Sequence, residues 1–282
     1  ARKTPNLKIP YSSGCKNAVL IVKKEKMMNA RLMVTVALAT LVVVGCGKKN
    51  AAGNAEKTEA QSQQEAQSQQ AAIQGIIGNM VAIPGKGYKM GKTEVTQAQW
   101  EAVMGKNPSR FKGADNPVEN VSWNDCQEFL KELNALPAVK ESGLVFRLPT
   151  EEEWKYACRA GSTGDYCKLA DGTEITESTL GEVAWYLGTS NRKVHPVGQK
   201  KPNAFGFYDM HGNVWEWCED LDQSDSSDHV DRGGSSFRVY RGGCWGAVPW
   251  SCRDRTCSHP GFRYHKLGFR LAASQDSLDV NR

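Results

Sequence analysis

The stretch from Phe205 to Ala273 most constrains how this chain of 282 residues can fold. Glycine pairs at positions 233–234 and 242–243 alternate there with tryptophans and arginines. Because glycine has no Cβ, the backbone can turn sharply or approach other backbone at these pairs, while the tryptophans supply apolar bulk. The pattern predicts a region of tight turns and short strands. All eight tryptophans lie at or beyond Trp100, so the core is expected in the later two-thirds of the chain.

Upstream of this stretch, three segments have the pattern of helices that begin at N-capping residues. Thr96 caps the first segment, and Ser122 caps a second whose apolar residues recur at helical spacing. Thr150 and Glu153 form a capping box for the third segment. Short strands are expected before the first helix and before the third. The sequence therefore predicts an α+β domain with much irregular structure.

The N-terminal part of the chain has the composition of export and anchoring signals. Residues 1–26 are rich in lysine and lack periodicity, and we interpret them as an upstream extension ahead of a methionine pair. Residues 27–45 then resemble a signal peptide, in which Arg31 precedes an apolar run too short to span a bilayer comfortably. Small residues precede Cys46, as in a bacterial lipobox, which predicts cleavage and lipid attachment there. The alternative is a short signal anchor that stays uncut.

Residues 46–78 are rich in Gln, Ala and Glu and contain the hexapeptide EAQSQQ twice in tandem. We expect a tether there, either disordered or marginally helical, because this composition does not bury a core. As a coil the segment would reach roughly 30 Å from a membrane. The folded domain is expected at 79–274, followed by a tail at 275–282.

The formal net charge of +5 does not describe the folded part. Eight of the 36 basic residues precede Cys46, together with one acidic residue, Glu25, so the remainder carries a slight acidic excess. A basic patch for nucleic acid is therefore not expected.

Five ordered motifs between residues 79 and 274 carry a resemblance to a known family. The first four are KTEVTQAQWEAVMG, NPVENVSW, FRLPTEEEWKYACRAG and GNVWEW. The fifth combines the RGG at 241–243 with the GFRLA at 268–272. They resemble the formylglycine-generating-enzyme, or sulfatase-modifying-factor, family, whose members adopt a variant of the C-type lectin fold. The resemblance implies an α+β, C-type-lectin-like fold, but a fold alone does not decide function.

The short domain, the lipoprotein leader and the RGG-to-GFR tail are also similar to variable proteins of diversity-generating retroelements, the treponemal one included. In those systems AAC codons become NNC codons, which cannot encode Lys, Glu, Gln, Met or Trp. From Val239 to His265 the only such residues are Trp245 and Trp250. Lys, Glu, Gln and Met make up about a fifth of the whole chain, so their absence is informative. An arginine-rich, tightly turned strand pair would also show it.

The resemblance to variable proteins implies a variable region at about 239–272. In this region changeable side chains would lie between the residues of a fixed scaffold. Trp245, Trp250, Arg253 and the GFR at 268–270 would be scaffold, with the two tryptophans either in the core or at the floor of the site. Aromatic and small polar side chains together suit protein recognition. The predicted ligand-binding residues are Gly246, Ala247, Val248, Ser251, Cys252, Asp254, Thr256, Cys257, Ser258, His259, Phe262, Tyr264 and His265. We therefore expect a lipoprotein displayed on a bacterial cell surface that binds varied ligands, most of them proteins.

The second candidate function is that of the family's enzymes, copper oxidases that act on exported proteins. The resemblance implies a cysteine pair, whose positions fall here on Ala247 and Cys252. A single soft ligand does not hold copper as a pair does, so we predict that the protein is not an enzyme. Cys252, Cys257, His259 and His265 lack the spacing of a zinc site. A disulfide between Cys252 and Cys257 remains open for an exported protein.

Asn213 and Glu216 in GNVWEW are the candidate metal ligands, since this segment supplies oxygen ligands to a structural calcium ion in relatives. Alternatively, Asn213 closes a turn and Glu216 pairs with an arginine such as Arg241. The acidic loop after Trp217 lacks the glycine and terminal glutamate of an EF-hand, so a solvated loop is expected. No other cofactor is expected.

Overall fold

The computed structural model describes residues 52–222 and 236–275, and the side chains from residue 61 onward. The proposed extension, signal peptide and lipidated Cys46 lie outside these residues, as do nearly all of the tail and most of the acidic loop. Within the described ranges, no helix combines the length and apolarity needed to cross a bilayer.

Five α-helices and eight strands make up the described part of the chain. The helices are α1 (Ala52–Gly78), α2 (Gln97–Met104), α3 (Trp123–Ala135), α4 (Pro137–Glu141) and α5 (Glu151–Arg159). The strands are β1 (Met80–Ala82), β2 (Tyr88–Gly91), β3 (Leu144–Arg147), β4 (Trp215–Leu221), β5 (Arg238–Arg241), β6 (Thr256–Ser258), β7 (Leu267–Gly268) and β8 (Ala272–Gln275). The long interval between α5 and β4 is mostly turns with one 3-10 helix, Leu180–Glu182.

The three capped helices begin where the sequence predicts. The side-chain oxygens of Thr96, Ser122 and Thr150 each accept a hydrogen bond from a backbone N–H three residues later, in complete capping boxes. Each cap satisfies N–H groups that the first helical turn leaves without a partner. These bonds are local, so each helix start is specified by residues three positions apart.

The end of α1 differs from the predicted tether. Ile73 and Ile76 are only 5% and 2% exposed and belong to the main hydrophobic core. Farther up the same helix, Gln69 donates a 2.6 Å hydrogen bond from Nε2 to the backbone oxygen of Ala102 in α2. The two isoleucines bury enough apolar surface to hold the last helical turns against the domain. The domain therefore begins before residue 79.

Two four-stranded sheets frame the domain. The first has the order β1-β2-β8-β3 and is antiparallel throughout, so the last described strand lies between the first strands of the domain and β3. The second has the order β6-β5-β4-β7, with β4 and β7 parallel. This second sheet is built entirely from the glycine- and tryptophan-rich C-terminal stretch.

The main core lies between the helices and this C-terminal stretch. Trp100 and Phe129 stack with ring centroids 5.1 Å apart, and Phe269 meets Phe129 edge-on at 5.4 Å. Gly242 and Gly243 have φ values of 98° and 72°, a region that side chains other than glycine rarely adopt. The expected α+β architecture with glycine turns at this pair is confirmed.

Candidate functional site

The predicted ligand-binding residues lie at the surface of the second sheet and its loops, with one exception. Val248, Asp254 and Phe262 are exposed, and Val248 is the most open of the large apolar side chains at 63%. Cys252 is fully buried. The prediction that Cys252 contacts ligand is therefore wrong, because its side chain points into the domain. All the other residues of the set are half-buried.

One part of this surface is aromatic. Phe262 and Tyr264 have ring centroids 6.0 Å apart, and Tyr264 meets His265 at 4.6 Å. The His265 ring lies 5.9 Å from Trp245, and the Lys266 ammonium lies 4.5 Å above the Trp245 ring. Trp245 itself is 8% exposed, which favours core over floor of the site. Aromatic side chains held in this way offer contact area at a low entropic cost.

A second part is the turn at 251–254. The Ser251 N–H donates to Asp254 Oδ2 at 2.6 Å, so this carboxylate closes the turn. Arg241 of β5 is 2% exposed, and its Nη1 donates to the backbone oxygens of Cys252 and Asp254 at 3.2 and 2.8 Å. Its Nε donates to Glu151 at the start of α5 at 3.0 Å. A buried guanidinium thus ties the turn to a helix, a geometry for which arginine is well suited.

The third part is β6, the edge strand of the second sheet. Cys257 pairs with Val239 of β5 in the ladder, and its thiol donates to Asp222 Oδ2 at 3.2 Å. Burial, followed by the Asp222 carboxylate, raises the pKa of the Cys257 thiol to about 11. This cysteine is therefore a protonated thiol at neutral pH.

The cysteine contacts differ from the Cys252–Cys257 pairing that the sequence leaves open. The Cys252 sulfur lies 3.1 Å from the Cys158 sulfur, whereas the Cys257 thiol contacts Asp222. A disulfide between Cys252 and Cys257 is not formed. Within the described residues, the group of three that could hold a metal is Cys158, His211 and Cys252. Of these, only Cys252 belongs to the cysteine and histidine set whose spacing argued against a zinc site.

Asn213 and Glu216 both have other partners. Asn213 has a φ of 64°, accepts the His195 N–H at Oδ1 at 3.0 Å and donates to Glu94 Oε2 at 2.9 Å. The amide thus holds a turn, which is the alternative the sequence left open. Glu216 accepts two 2.6 Å hydrogen bonds from Arg270, with Nε donating to Oε2 and Nη2 to Oε1.

These contacts account for both candidate calcium ligands without an ion. The Glu216 carboxylate also accepts the Trp154 indole N–H at 2.7 Å. Its oxygens face donors, and a cation there would compete with the Arg270 guanidinium. Glu216 therefore pairs with an arginine, as the alternative expects, but the partner is Arg270. Arg241 pairs with Glu151 instead, although it lies opposite Glu216 in the β4–β5 ladder.

Two further carboxyl groups share the pocket of Arg270. Burial raises the pKa of Glu94 well above its usual value, and the nearby Asp209 and Glu216 raise it further. Burial likewise raises the pKa of Asp209 to about 6. One guanidinium does not neutralise three carboxylates in a medium of low polarity, so protonated carboxyl groups are favoured here. The cluster joins β4 to the end of β2 and to the turns before β4.

Sequence reasoning misses residues that flank the predicted surface. The Leu187 N–H donates to the Ala247 oxygen at 2.9 Å, which places Leu187 next to the predicted surface. The Leu187 side chain is 45% exposed. Phe111 meets Trp245 edge-on at 5.5 Å and His265 at 6.4 Å. Both residues lie in irregular segments with no periodicity, so no local signal places them at this face.

Comparison with known proteins identifies the family. Residues 35–275 match the sulfatase-modifying factor enzyme 1-like domain. The chain belongs to this family. The chaperone protein LppX of Paenibacillus barcinonensis is 32% identical over 220 residues, which cover 62% of this chain and 74% of that protein. The family resemblance expected from the five motifs is confirmed.

The family also includes enzymes. The formylglycine-generating enzyme of Thermomonospora curvata is 32% identical over 204 residues, which cover 64% of this chain and 62% of the enzyme. This sulfatase-modifying-factor-type chain therefore spans less than two thirds of that enzyme's length. The similarity alone does not carry the enzyme's activity over to this chain.

Solved structures bear out the fold. The structure of Treponema denticola variable protein 1 is 32% identical and matches with a TM-score of 0.54, covering 69% of this chain and 91% of that chain. PvdO from Pseudomonas aeruginosa matches with 27% identity and a TM-score of 0.52, covering 66% and 80%. Both the C-type-lectin-like fold and the likeness to a treponemal variable protein are confirmed.

Proposed function

We propose that this family member is a ligand-binding protein whose C-terminal segment presents changeable side chains on a fixed frame. The observation that carries the proposal is the division of residues 239–272 into two classes. The frame residues Trp245, Arg241 and Arg270 are buried and bonded to other elements, whereas the side chains of 247–248 and 254–266 are open or half-open. Arg253, which the sequence places in the frame, is exposed and pairs with Asp165. Substitution of such open side chains usually changes stability by less than about 0.5 kcal/mol.

The likeness to Treponema denticola variable protein 1 supports the same function, since it extends over 91% of that chain. Diversification of this segment by a retroelement accounts for the lack of Lys, Glu, Gln and Met from Val239 to His265. Protein ligands fit the aromatic group of Phe262, Tyr264 and His265, because interfaces are enriched in such side chains. The lipobox before Cys46 supports membrane anchoring and display at the cell surface.

A pair of displayed libraries tests the binding function. In the first, five surface positions are varied among Tyr, His, Ser and Asp: Val248, Ser251, Ser258, Phe262 and His265. In the matched control, the same four residue types are placed on the exposed face of α3, at Asn124, Glu128, Lys131, Glu132 and Ala135. Both libraries are selected against purified lysozyme and albumin.

We expect most members of the first library to fold and to yield binders to each probe, because a rigid frame lowers the ordering cost of binding. The control library should fold but yield few binders. Unfolding of most first-library members, or equal recovery of binders from both libraries, would contradict the proposed function.

The second candidate is an oxidase of the formylglycine-generating type, which the Thermomonospora curvata relative favours. Two observations argue against it: Ala247 occupies one of the two expected cysteine positions, and the Cys252 sulfur is buried. With copper and oxygen supplied, we expect no conversion of a cysteine peptide that the Thermomonospora enzyme converts. Conversion by this chain at a comparable rate would establish the enzyme instead.

A further inference from the structure

Two buried cysteines from distant parts of the chain meet beneath the turn at 251–254. Cys158 lies in the last turn of α5 and Cys252 lies in the turn itself. Their Sγ atoms are 3.1 Å apart, although 94 residues separate them in the chain. Both side chains are fully buried. The ligand surface proposed above does not use either thiol.

His211 faces both sulfur atoms. Its Nε2 lies 3.7 Å from each Sγ and accepts the Cys167 N–H at 3.1 Å. Its Nδ1 lies 3.3 Å from the Trp250 oxygen, so the ring hydrogen is assigned to Nδ1, where it can be donated. His211 is then a neutral imidazole with a lone pair directed toward the two thiols.

The two thiols have different acidities. The hydrogen bond from the Cys158 thiol lowers the pKa of the Cys252 thiol. Burial raises the pKa of the Cys158 thiol well above its usual value. Cys252 is therefore the more acidic thiol of the packed pair.

We propose that Cys158 and Cys252 form a disulfide bond that locks the turn at 251–254 to the end of α5. The bond forms by exchange with a disulfide donor, a small molecule or a protein. The Cys252 thiolate attacks one donor sulfur and releases the first donor thiolate. Cys158 then attacks the Cys252 sulfur of the mixed disulfide and releases the second. The donor gains the two electrons, and the protons of both cysteines end on its two thiols.

Because both sulfur atoms are buried in the folded domain, the donor reaches Cys252 during folding, before the turn packs on α5. A small fraction of an exposed cysteine is ionised at neutral pH, and this thiolate attacks the donor. Packing of the turn then selects Cys158 as the partner, since that sulfur is already within 3.1 Å. The turn carries Ser251 and Asp254, so the bond would hold part of the proposed ligand surface in place. Formation in the cell requires the oxidising compartment that the proposed export provides.

A metal ion is the competing occupant of this pocket. Two thiolates bound 2.3 Å from a tetrahedral zinc ion would lie about 3.8 Å apart, and these sulfurs are closer at 3.1 Å. The Nε2 lone pair of His211 is also already engaged by the Cys167 N–H. Both observations favour a sulfur–sulfur bond.

The first test maps the bond in the purified full chain after unfolding and refolding in the presence of glutathione disulfide. Trypsin releases Cys158 in residues 156–159 and Cys252 in residues 242–253, a peptide that also contains Cys244. We expect a cross-linked pair of these peptides that separates on reduction. The cross-link should persist in Cys244→Ala and disappear in Cys252→Ala, which assigns the sulfur.

The second test compares thermal unfolding with and without reductant. Closing a loop of this length should make the oxidised wild type melt about 5 to 15 °C higher. Cys158→Ala and Cys252→Ala should show no dependence on reductant, whereas Cys126→Ala, a buried thiol elsewhere, should keep the shift. Should a variant fail to fold, the peptide map of the wild type decides.

Full alkylation of Cys158 and Cys252 in the unreduced, unfolded wild type would overturn the proposal. So would stoichiometric zinc or copper bound to the chain with both cysteines reduced. Neither test involves a ligand, so failure of the disulfide and failure of the binding function are separate results.

Discussion

Arg270 and Glu216 form a buried ion pair whose strength depends on complete pairing. Both side chains are fully buried, and Arg270 also donates to the backbone oxygens of Gly91 and Tyr208 at 3.1 and 2.9 Å. A buried charge costs several kcal/mol unless it is paired and hydrogen-bonded. The sequence indicates an arginine partner for Glu216, but 54 residues separate the pair and the arginine-rich stretch offers several choices. Such a choice depends on tertiary packing.

Replacing Glu216 by Gln should destabilise the protein by about 3 kcal/mol, because the variant leaves Arg270 without its bidentate carboxylate. The matched control is Glu152→Gln, since Glu152 is 79% exposed and pairs with Lys155 on the surface. Exposed pairs contribute about 0 to 1 kcal/mol, so the control should change little. Urea unfolding measures both changes. Equal effects in the two variants would show that the buried pair contributes no special stability.

Asp209 should make stability depend on pH in a defined direction. Its folded pKa of about 6 lies above the unfolded value near 3.9, because burial disfavours the charged form. The folded state therefore binds the proton more tightly, and stability is lost as pH rises from about 4 through 6. Two pKa units correspond to about 3 kcal/mol.

The matched variant is Asp209→Asn, since Asn tolerates the φ of 61° found there and keeps an acceptor for the Gly198 N–H. The stability of the wild type minus that of the variant should fall between pH 4 and 7 and then level off. Titrating groups that do not interact with Asp209 are common to both proteins and cancel in this difference. A flat or rising difference would contradict the raised pKa.

At the scale of elements, the sequence predicts helix starts better than it predicts packing. The capping boxes at Thr96, Ser122 and Thr150 are local, and each is found in the structure. Helix α1 shows the limit, because its polar composition predicts a tether while Ile73 and Ile76 pack into the core. Two isoleucines at i and i+3 are too few to stand out from a long polar run.

Replacing Ile76 by Ala should therefore destabilise the domain by about 2 to 4 kcal/mol, through lost burial and the cavity that remains. Gln74 lies in the same helical turn but is exposed, so Gln74→Ala is the matched control and should be nearly neutral. Thermal unfolding of the two variants measures the contrast. A tether that only spaces the domain from a membrane would make both variants neutral.

At the scale of the whole molecule, the C-terminal stretch supplies both the second sheet and the proposed ligand surface. The glycine, tryptophan and arginine pattern predicts this compact frame, and the positive φ values of Gly242 and Gly243 bear it out. The sequence also places all but one of the predicted contact residues at the surface. It fails for Cys252, since the contact with Cys158 joins residues 94 positions apart and has no local signature. The sequence misses Leu187 and Phe111 for the same reason, because they lie near this surface in space but far from it in the chain.

The most direct test of the central claim is to sequence the gene segment for residues 239–272, with its neighbouring DNA, across many isolates. We predict that substitutions concentrate at NNC codons for open positions such as Val248, Phe262 and His265, matching adenines in a nearby template. The codons for buried frame residues such as Arg241 and Arg270 should stay constant. An invariant segment, or substitutions spread equally over open and buried positions with no template nearby, would contradict a diversified binding surface.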